Sequence, residues 1–208
     1  MMKLFGFFRS GAAYRVRIAL NMKGIKVEQI SRHLRKGEQT APEYLKLNPQ
    51  GLVPALVLED GTVLTQSLAI MDYLEETHPN PPFLPKDPVR RAKVRAFAQS
   101  IACDTHPVQN LRVLQRVKSL GQDDLAWARA INLEGLTAAN ELIQHEPGPF
   151  CFGATPTLAD ICLIPQVANA RRFKADITHL TRLQQAIAAC EAHPAFQAAA
   201  PEKQPDAE

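Results

Sequence analysis

The amino-acid sequence predicts an α/β domain followed by an all-helical domain, and three observations carry this reading. The N-terminal residues alternate between strand-like and helix-like hydrophobic patterns, residues 78–88 contain five prolines, and beyond them no segment alternates like a strand. The implied division is an α/β domain over 1–78, a linker over 79–88 and a helical domain over 89–208. A chain of 208 residues is long enough to bury a sizeable core in one or two such domains.

Taken in order, residues 3–8, Lys-Leu-Phe-Gly-Phe-Phe, read as a strand. From 11 to 23 the positions Tyr14, Ile18, Ala19 and Met22 recur at helical spacing, and Gly24 stops the helix. Residues 26–30 alternate like a second strand, and 42–47 suit a short helix. Strands over 55–58 and 62–64 flank Glu59-Asp60-Gly61, whose Asp-Gly pair favours a two-residue hairpin turn. A third helix is expected over 67–77. The prolines Pro79, Pro81, Pro82, Pro85 and Pro88 then exclude regular helix and sheet. Helical spacing returns over 89–118, 122–145, 158–173 and 181–192, and the polar tail 201–208, with two prolines, is expected to fray or to cover a site.

Composition narrows the function classes. Hydrophobic residues make up 46% and no run approaches the ~18 apolar residues that a bilayer requires, so no membrane partner is expected. The charge is +3, and the one dense basic cluster, Arg90, Arg91, Lys93 and Arg95, reads as a solvated helix face without interleaved aromatic residues. No nucleic-acid partner is expected from it. Cys103, Cys151, Cys162 and Cys190 form no Cys-x-x-Cys pair and have no histidine at metal-ligand spacing, so no metal is expected and a reducing compartment fits. The start, Met1-Met2-Lys3-Leu4 with Arg9 soon after, lacks the apolar core of a secretory signal, which points to the cytoplasm.

Two motifs point to a peptide-like ligand. In Asn48-Pro49-Gln50-Gly51-Leu52-Val53-Pro54-Ala55-Leu56 a proline sits directly before a strand that should lie inside the sheet, where it cannot donate to a ladder. A cis Val53–Pro54 bond in a tight turn would leave the Val53 N–H and C=O to bond an extended peptide; an ordinary loop proline is the plainer alternative. Gln66-Ser67 opens the third helix, where unpaired amides, the helix dipole and the Ser67 hydroxyl can hold a carboxylate. The plainer alternative for Ser67 is an N-cap.

Together, Val53-Pro54 and Gln66-Ser67 behind a strand–helix opening resemble the glutathione-binding, thioredoxin-like domain of glutathione transferases. Gly153-Ala154-Thr155-Pro156-Thr157-Leu158-Ala159-Asp160 resembles that family's buried capping box, with Thr157 as cap and Asp160 reaching back to the cap amide. Within the family, Phe8-Arg9-Ser10-Gly11, the run from Arg15 to Leu20, Gln109-Asn110-Leu111-Arg112-Val113-Leu114, the segment from Pro165 to Phe173 and Gln204-Pro205-Asp206 resemble the zeta class, which contains maleylacetoacetate and maleylpyruvate isomerases. One departure stands in the first turn. The class usually reads Ser-Ser-Cys, whereas this chain reads Ser10-Gly11-Ala12, as some bacterial isomerases do.

The resemblance implies a glutathione transferase fold and a homodimer. It also implies a glutathione-dependent cis–trans isomerase of a maleyl-substituted oxo acid, a small dicarboxylate. Ser10 would donate to the glutathione sulfur, and Arg9 and Arg172 would hold substrate carboxylates, with Arg171 at the surface. Glutathione contacts would further come from Gly11, Gln39, Val53, Pro54, Gln66, Ser67, His106, Gln109 and Asn110. His106 precedes Pro107, where a kink could aim the imidazole inward. A general glutathione transferase or dehalogenase, and a non-catalytic glutathione-binding module, are the alternative readings.

Overall fold

The computed structural model describes residues 1–208 in two compact units, Met1–Pro81 with His193–Glu208, and Pro82–Ala192. The first unit is built on a four-stranded sheet of order β2-β1-β3-β4. Its strands are β1 (Lys3–Gly6), β2 (Glu28–Ser31), β3 (Ala55–Val57) and β4 (Val63–Thr65). β1 pairs parallel with β2, and the pairs β1–β3 and β3–β4 are antiparallel, with Leu4 opposite Leu56 and Leu56 opposite Leu64.

Helix α1 (Gly11–Met22) packs against α3 (Ser67–Thr77) and α9 (Pro194–Ala199). A second apolar cluster joins Phe5, Phe7, Phe8, Tyr44, Val53 and Ala55, with Tyr44 supplied by the short helix α2 (Pro42–Leu45). This cluster underlies both the β1–α1 turn and the loop before β3. The strand expected over 3–8 ends at Gly6, because Phe7 and Phe8 turn into that cluster and Ser10 N–H closes on Phe7 O at 2.9 Å.

The β3–β4 connection is also longer than expected. Leu58 N–H bonds Thr62 O (2.8 Å) and Gly61 N–H bonds Leu58 O (3.1 Å), with Gly61 at φ 89°. That is a three-residue loop closed by a left-handed glycine rather than a two-residue Asp-Gly turn.

The second unit contains α4 (Pro88–Gln99), α5 (Leu111–Ser119), α6 (Asp124–Leu142), α7 (Leu158–Arg172) and α8 (Thr181–Glu191). α7 is buried almost all round, as a central helix must be. Its start is the expected capping box: Asp160 Oδ2 accepts from Thr157 N–H (2.8 Å) and from the Thr157 hydroxyl (2.9 Å). The other Asp160 oxygen accepts from Cys151 N–H at 2.8 Å.

Two expectations need correction here. The helical spacing over 89–118, with a kink suggested at His106-Pro107, resolves into α4, a wide π turn over Ser100–Thr105, a 3-10 turn over Pro107–Gln109 and α5, so the departure from α-helix is longer than a single kink. α6 packs on the π turn, and Gly135 makes that approach feasible: a Cβ there would lie 2.2 Å from Thr105 Oγ1. The tail 201–208, expected to fray or to cover a site, does not fray, and His193–Glu208 groups with the first unit rather than with the helical domain expected over 89–208. The physical cause is specific anchoring: Arg17 Nε donates to Ala199 O (3.1 Å), Asn21 to Ala195 O (3.1 Å), and Asp206 accepts from Phe8 N–H (3.1 Å).

Candidate active site

In the first unit, three backbone features carry the predicted ligand residues. The first is the β1–α1 turn. Ser10 is the N-cap of α1, and its hydroxyl oxygen accepts from Ala13 N–H at 3.2 Å. That bond uses a lone pair and leaves the hydroxyl proton to be donated elsewhere. Gly11 and Ala12 follow in the first turn, whose amides have no partner within the helix and present the positive end of the dipole. Arg9 is half-buried, with its guanidinium 4.8 Å from the centre of the Phe8 ring.

The second feature is the loop before β3. The Val53–Pro54 bond is cis, as the sequence suggests. Tyr44 Oη and Asn48 Nδ2 both donate to Leu52 O at 2.7 Å, which fixes the loop from below. Val53 is buried yet makes no backbone hydrogen bond within the chain. Beside it, Gly51 has φ 60°, and a Cβ there would lie 3.3 Å from Gln39 O, so glycine brings the Gln39 segment against this loop. Gln39 is half-buried and its Oε1 is buried without a hydrogen-bond partner. A buried acceptor is costly unless ordered water or a ligand satisfies it.

The third feature is the start of α3. Gln66, not Ser67, is the N-cap, at φ 67°, a conformation that non-glycine residues adopt rarely and that clusters at functional sites. Gln66 Nε2 donates to Gln50 Oε1 at 2.8 Å. Ser67 is therefore not the cap. Its buried hydroxyl accepts from Arg15 Nη1 at 3.1 Å, which leaves its own proton for an anion at the helix end. Arg15, only 2% exposed, is a residue the sequence reading did not single out, although a charge inside the apolar run from Ala13 to Leu20 was its visible signal. The unpaired Val53 backbone, the orphaned Gln39 acceptor and the cationic end of α3 together fit a tripeptide with a terminal carboxylate.

In the second unit, His106 lies between the π turn and the 3-10 turn, half-buried, with its N–H bonded to Ile101 O at 2.8 Å. Asn110 caps α5, accepting from Val113 N–H at 3.1 Å. Gln109 departs from the expected ligand role. It is 2% exposed and faces inward, within 3.5 Å of Asn132 and 3.4 Å of His106 O, and Asn132 in turn accepts from Gln166 at 2.7 Å. This buried network makes Gln109 a support for the turn that carries His106 and Asn110. Arg172 ends α7, exposed, with its guanidinium 4.5 Å from the centre of the Phe173 ring. Arg171 pairs with Glu191 at the surface. No group of three histidine, cysteine or acidic side chains could hold a metal ion.

Residues 4–82 match the model of the glutathione S-transferase N-terminal domain, and the four-stranded sheet with the cis-proline loop before β3 and the start of α3 agrees with that class. The chain is 45% identical to the maleylpyruvate isomerase of a Ralstonia species, over 99% of each chain. Among solved structures it is similar to a holo maleylpyruvate isomerase described as a bacterial zeta-class glutathione S-transferase, at 43% identity and TM-score 0.96, over 99% of this chain and 100% of that one. It is likewise similar to the maleylacetoacetate isomerase of Methylobacterium extorquens AM1 with bound malonate and glutathione, at 40% identity and TM-score 0.95, over 99% of each chain. The chain belongs to the zeta-class glutathione transferases, in the maleylacetoacetate and maleylpyruvate isomerase family.

Proposed function

We propose that this protein is a glutathione-dependent cis–trans isomerase of a maleyl-substituted oxo acid, maleylpyruvate or maleylacetoacetate. The observation that carries the reading is the Ser10 hydroxyl, which accepts from Ala13 N–H and keeps its proton for a sulfur placed at the start of α1. The chemistry that bound glutathione supplies is a thiolate that adds to the cis double bond, permits rotation about the resulting single bond and is expelled to leave the trans isomer.

The chain's own residues make that chemistry available. Val53 offers its free N–H and C=O to the peptide, Gln39 offers Oε1 to a donor, and Ser67 with Gln66 takes a carboxylate at the end of α3. Pro54 shapes the loop, Gly11 contributes a first-turn amide, and His106 and Asn110 are the contacts proposed from the second unit. Ser10 favours the thiolate, the attacking form. Lowering a thiol pKa by two units requires about 2.7 kcal/mol of preferential stabilisation. A hydrogen bond to a charged group, worth roughly 1.5 to 3 kcal/mol, and a helix dipole of about 0.3 to 1 kcal/mol are sufficient.

Arg9 and Arg172 are the groups proposed for substrate carboxylates, since a planar guanidinium suits bidentate binding. Their importance separates the isomerase from a general transferase, whose neutral electrophiles need no such groups. Arg172→Ala should lower kcat/KM for a maleyl acid by about 10 to 150 fold, with lysine restoring only part, and should leave conjugation of a neutral aryl halide unchanged. Equal loss of both activities would favour the transferase. We further propose a cytoplasmic homodimer, on the reduced cysteines and the family's habit; a monomer mass in sedimentation at micromolar concentration would refute the dimer. No helix is long and apolar enough to cross a membrane.

A further inference from the structure

The C-terminal tail is tied to the turn that carries Arg9 and Ser10. After α9, Gln204 is buried and its side-chain amide donates to Ala198 O (3.0 Å) and Ala200 O (2.8 Å), folding the chain back on itself. Asp206 follows, and one of its oxygens, Oδ2, accepts from both Phe8 N–H (3.1 Å) and the Ser31 hydroxyl (2.7 Å) at the end of β2. From the other side, the buried Arg17 guanidinium donates through Nη2 to Phe8 O (3.0 Å) and through Nε to Ala199 O (3.1 Å). Phe8 is thus held at its N–H by the tail and at its C=O by α1. Arg9 and Ser10 are the next two residues, so wherever Phe8 is fixed, they are fixed too.

The electrostatics agree with the geometry. Burial lowers the Arg17 pKa to about 10, and Tyr14 and Asp206 favour its charged form. A carboxylate is well suited to this place because a charged acceptor can take two donors on a single oxygen while facing a buried cation. Glu208 adds an exposed pairing with His33 at 2.6 Å.

We propose that Asp206 is a positioning residue of the active site: by holding Phe8 N–H, the tail sets where the Ser10 hydroxyl and the Arg9 guanidinium stand. The proposal rests on Ser10 being the group that favours the glutathione thiolate. The test compares wild type with Asp206→Ala, Asp206→Asn and Glu208→Gln. Three properties are measured: turnover of a maleyl acid, the pH titration of the ultraviolet thiolate absorbance of bound glutathione, and the affinity for S-methylglutathione.

In Asp206→Ala, turnover falls on the order of 10 to 100 fold, the loss expected when a reacting group moves by about 1 Å. The bound thiol titrates at higher pH, while S-methylglutathione, held mainly at Val53 and Ser67, binds within a few fold of wild type. Asparagine keeps an oxygen able to accept both bonds and restores most of the turnover and of the titration, and Glu208→Gln matches wild type. A folded Asp206→Ala protein with unchanged titration and turnover overturns the proposal. So does a loss shared equally by S-methylglutathione binding and not rescued by asparagine, since that marks a general structural role. Should the alanine variant not fold, Asp206→Glu, which keeps the charge but displaces the oxygens by a methylene, is expected to titrate above wild type; a wild-type titration then overturns the proposal. A wild-type chain whose bound thiol is unshifted and which isomerises no maleyl acid overturns the functional reading and this proposal together. An unchanged variant beside an active wild type overturns this proposal alone.

Discussion

One hydroxyl at Ser10 carries an observed bond and a proposed one. Its oxygen caps α1 through Ala13 N–H, and its proton is the donor proposed for the glutathione sulfur. Ser10→Ala removes both, so the two effects have to be read separately. The lost cap should cost about 1 kcal/mol of stability. The lost donor should raise the bound thiol's pKa, with glutathione affinity within a few fold because Val53, Gln39 and Ser67 are untouched. A variant that keeps both turnover and the thiolate absorbance at neutral pH would show that Ser10 is only a cap. At this scale the sequence is informative about backbone place: the α1 start after Ser10, the cis Val53–Pro54 bond and the α3 start at Ser67 are each where their residue types suggest. It was silent where burial decides. Gln109 looks like a ligand in one dimension, and only the contacts with Asn132 and His106 O turn it inward. Arg15 sits in an apolar run, and its donation to Ser67 is a long-range contact that spacing cannot show.

At the scale of elements, the segment from Ser100 to Asn110 shows a local preference overridden by packing. Helical spacing runs over 89–118, yet the chain widens into a π turn over Ser100–Thr105, on which α6 packs closely at Gly135, and Pro107 opens the 3-10 turn after His106. Trp127 Nε1 then donates to Val108 O at 2.9 Å and pins the 3-10 turn. Such π turns recur at functional sites because they redirect side chains without ending the helix. Gly135→Ala would place a methyl group 2.2 Å from Thr105 Oγ1, 2.4 Å from its Cγ2 and 2.9 Å from its Cβ, so the clash involves a stiff β-branched side chain. The expected cost is about 1 to 3 kcal/mol in denaturant unfolding. Wild-type stability in this variant would show that the close approach is not needed. The strand and helix boundaries, by contrast, differed from the sequence reading mainly at turns such as 7–10 and 58–62, where hydrogen bonds rather than hydrophobic spacing set the ends.

At the scale of the whole molecule, the four cysteines test whether the interior is as closed as the fold implies. Cys103 is exposed, whereas Cys151, Cys162 and Cys190 are buried. Burial, with the nearby Asp160 carboxylate, pushes the Cys151 and Cys190 thiols well above the ordinary value of 9.0. Both states hold these protons below pH 9, so their contribution to stability is complete there. As pH rises past 9 the unfolded thiols ionise and the folded ones do not, so unfolding releases protons and stability falls. Thermal unfolding should shift downward as pH rises above about 9, and a native thiol assay at neutral pH should label Cys103 alone. Fast labelling of a second cysteine in folded protein would contradict the closed interior. The end of the chain is the part least legible in advance: a polar, proline-containing tail has the composition of a frayed end, and only the acceptor at Asp206 and the donors of Arg17 and Asn21 convert it into part of the first unit.

As proposed, the protein isomerises a maleyl acid with glutathione as a recycled nucleophile. The measurement that tests it most directly follows substrate, trans product and free glutathione in one reaction mixture, with glutathione far below the substrate concentration. Complete conversion to the fumaryl isomer is expected, with no turnover when glutathione is omitted and a free glutathione concentration that is the same at the end as at the start. Conversion without glutathione, or conversion that stops when one glutathione has been consumed for each substrate molecule, would contradict it.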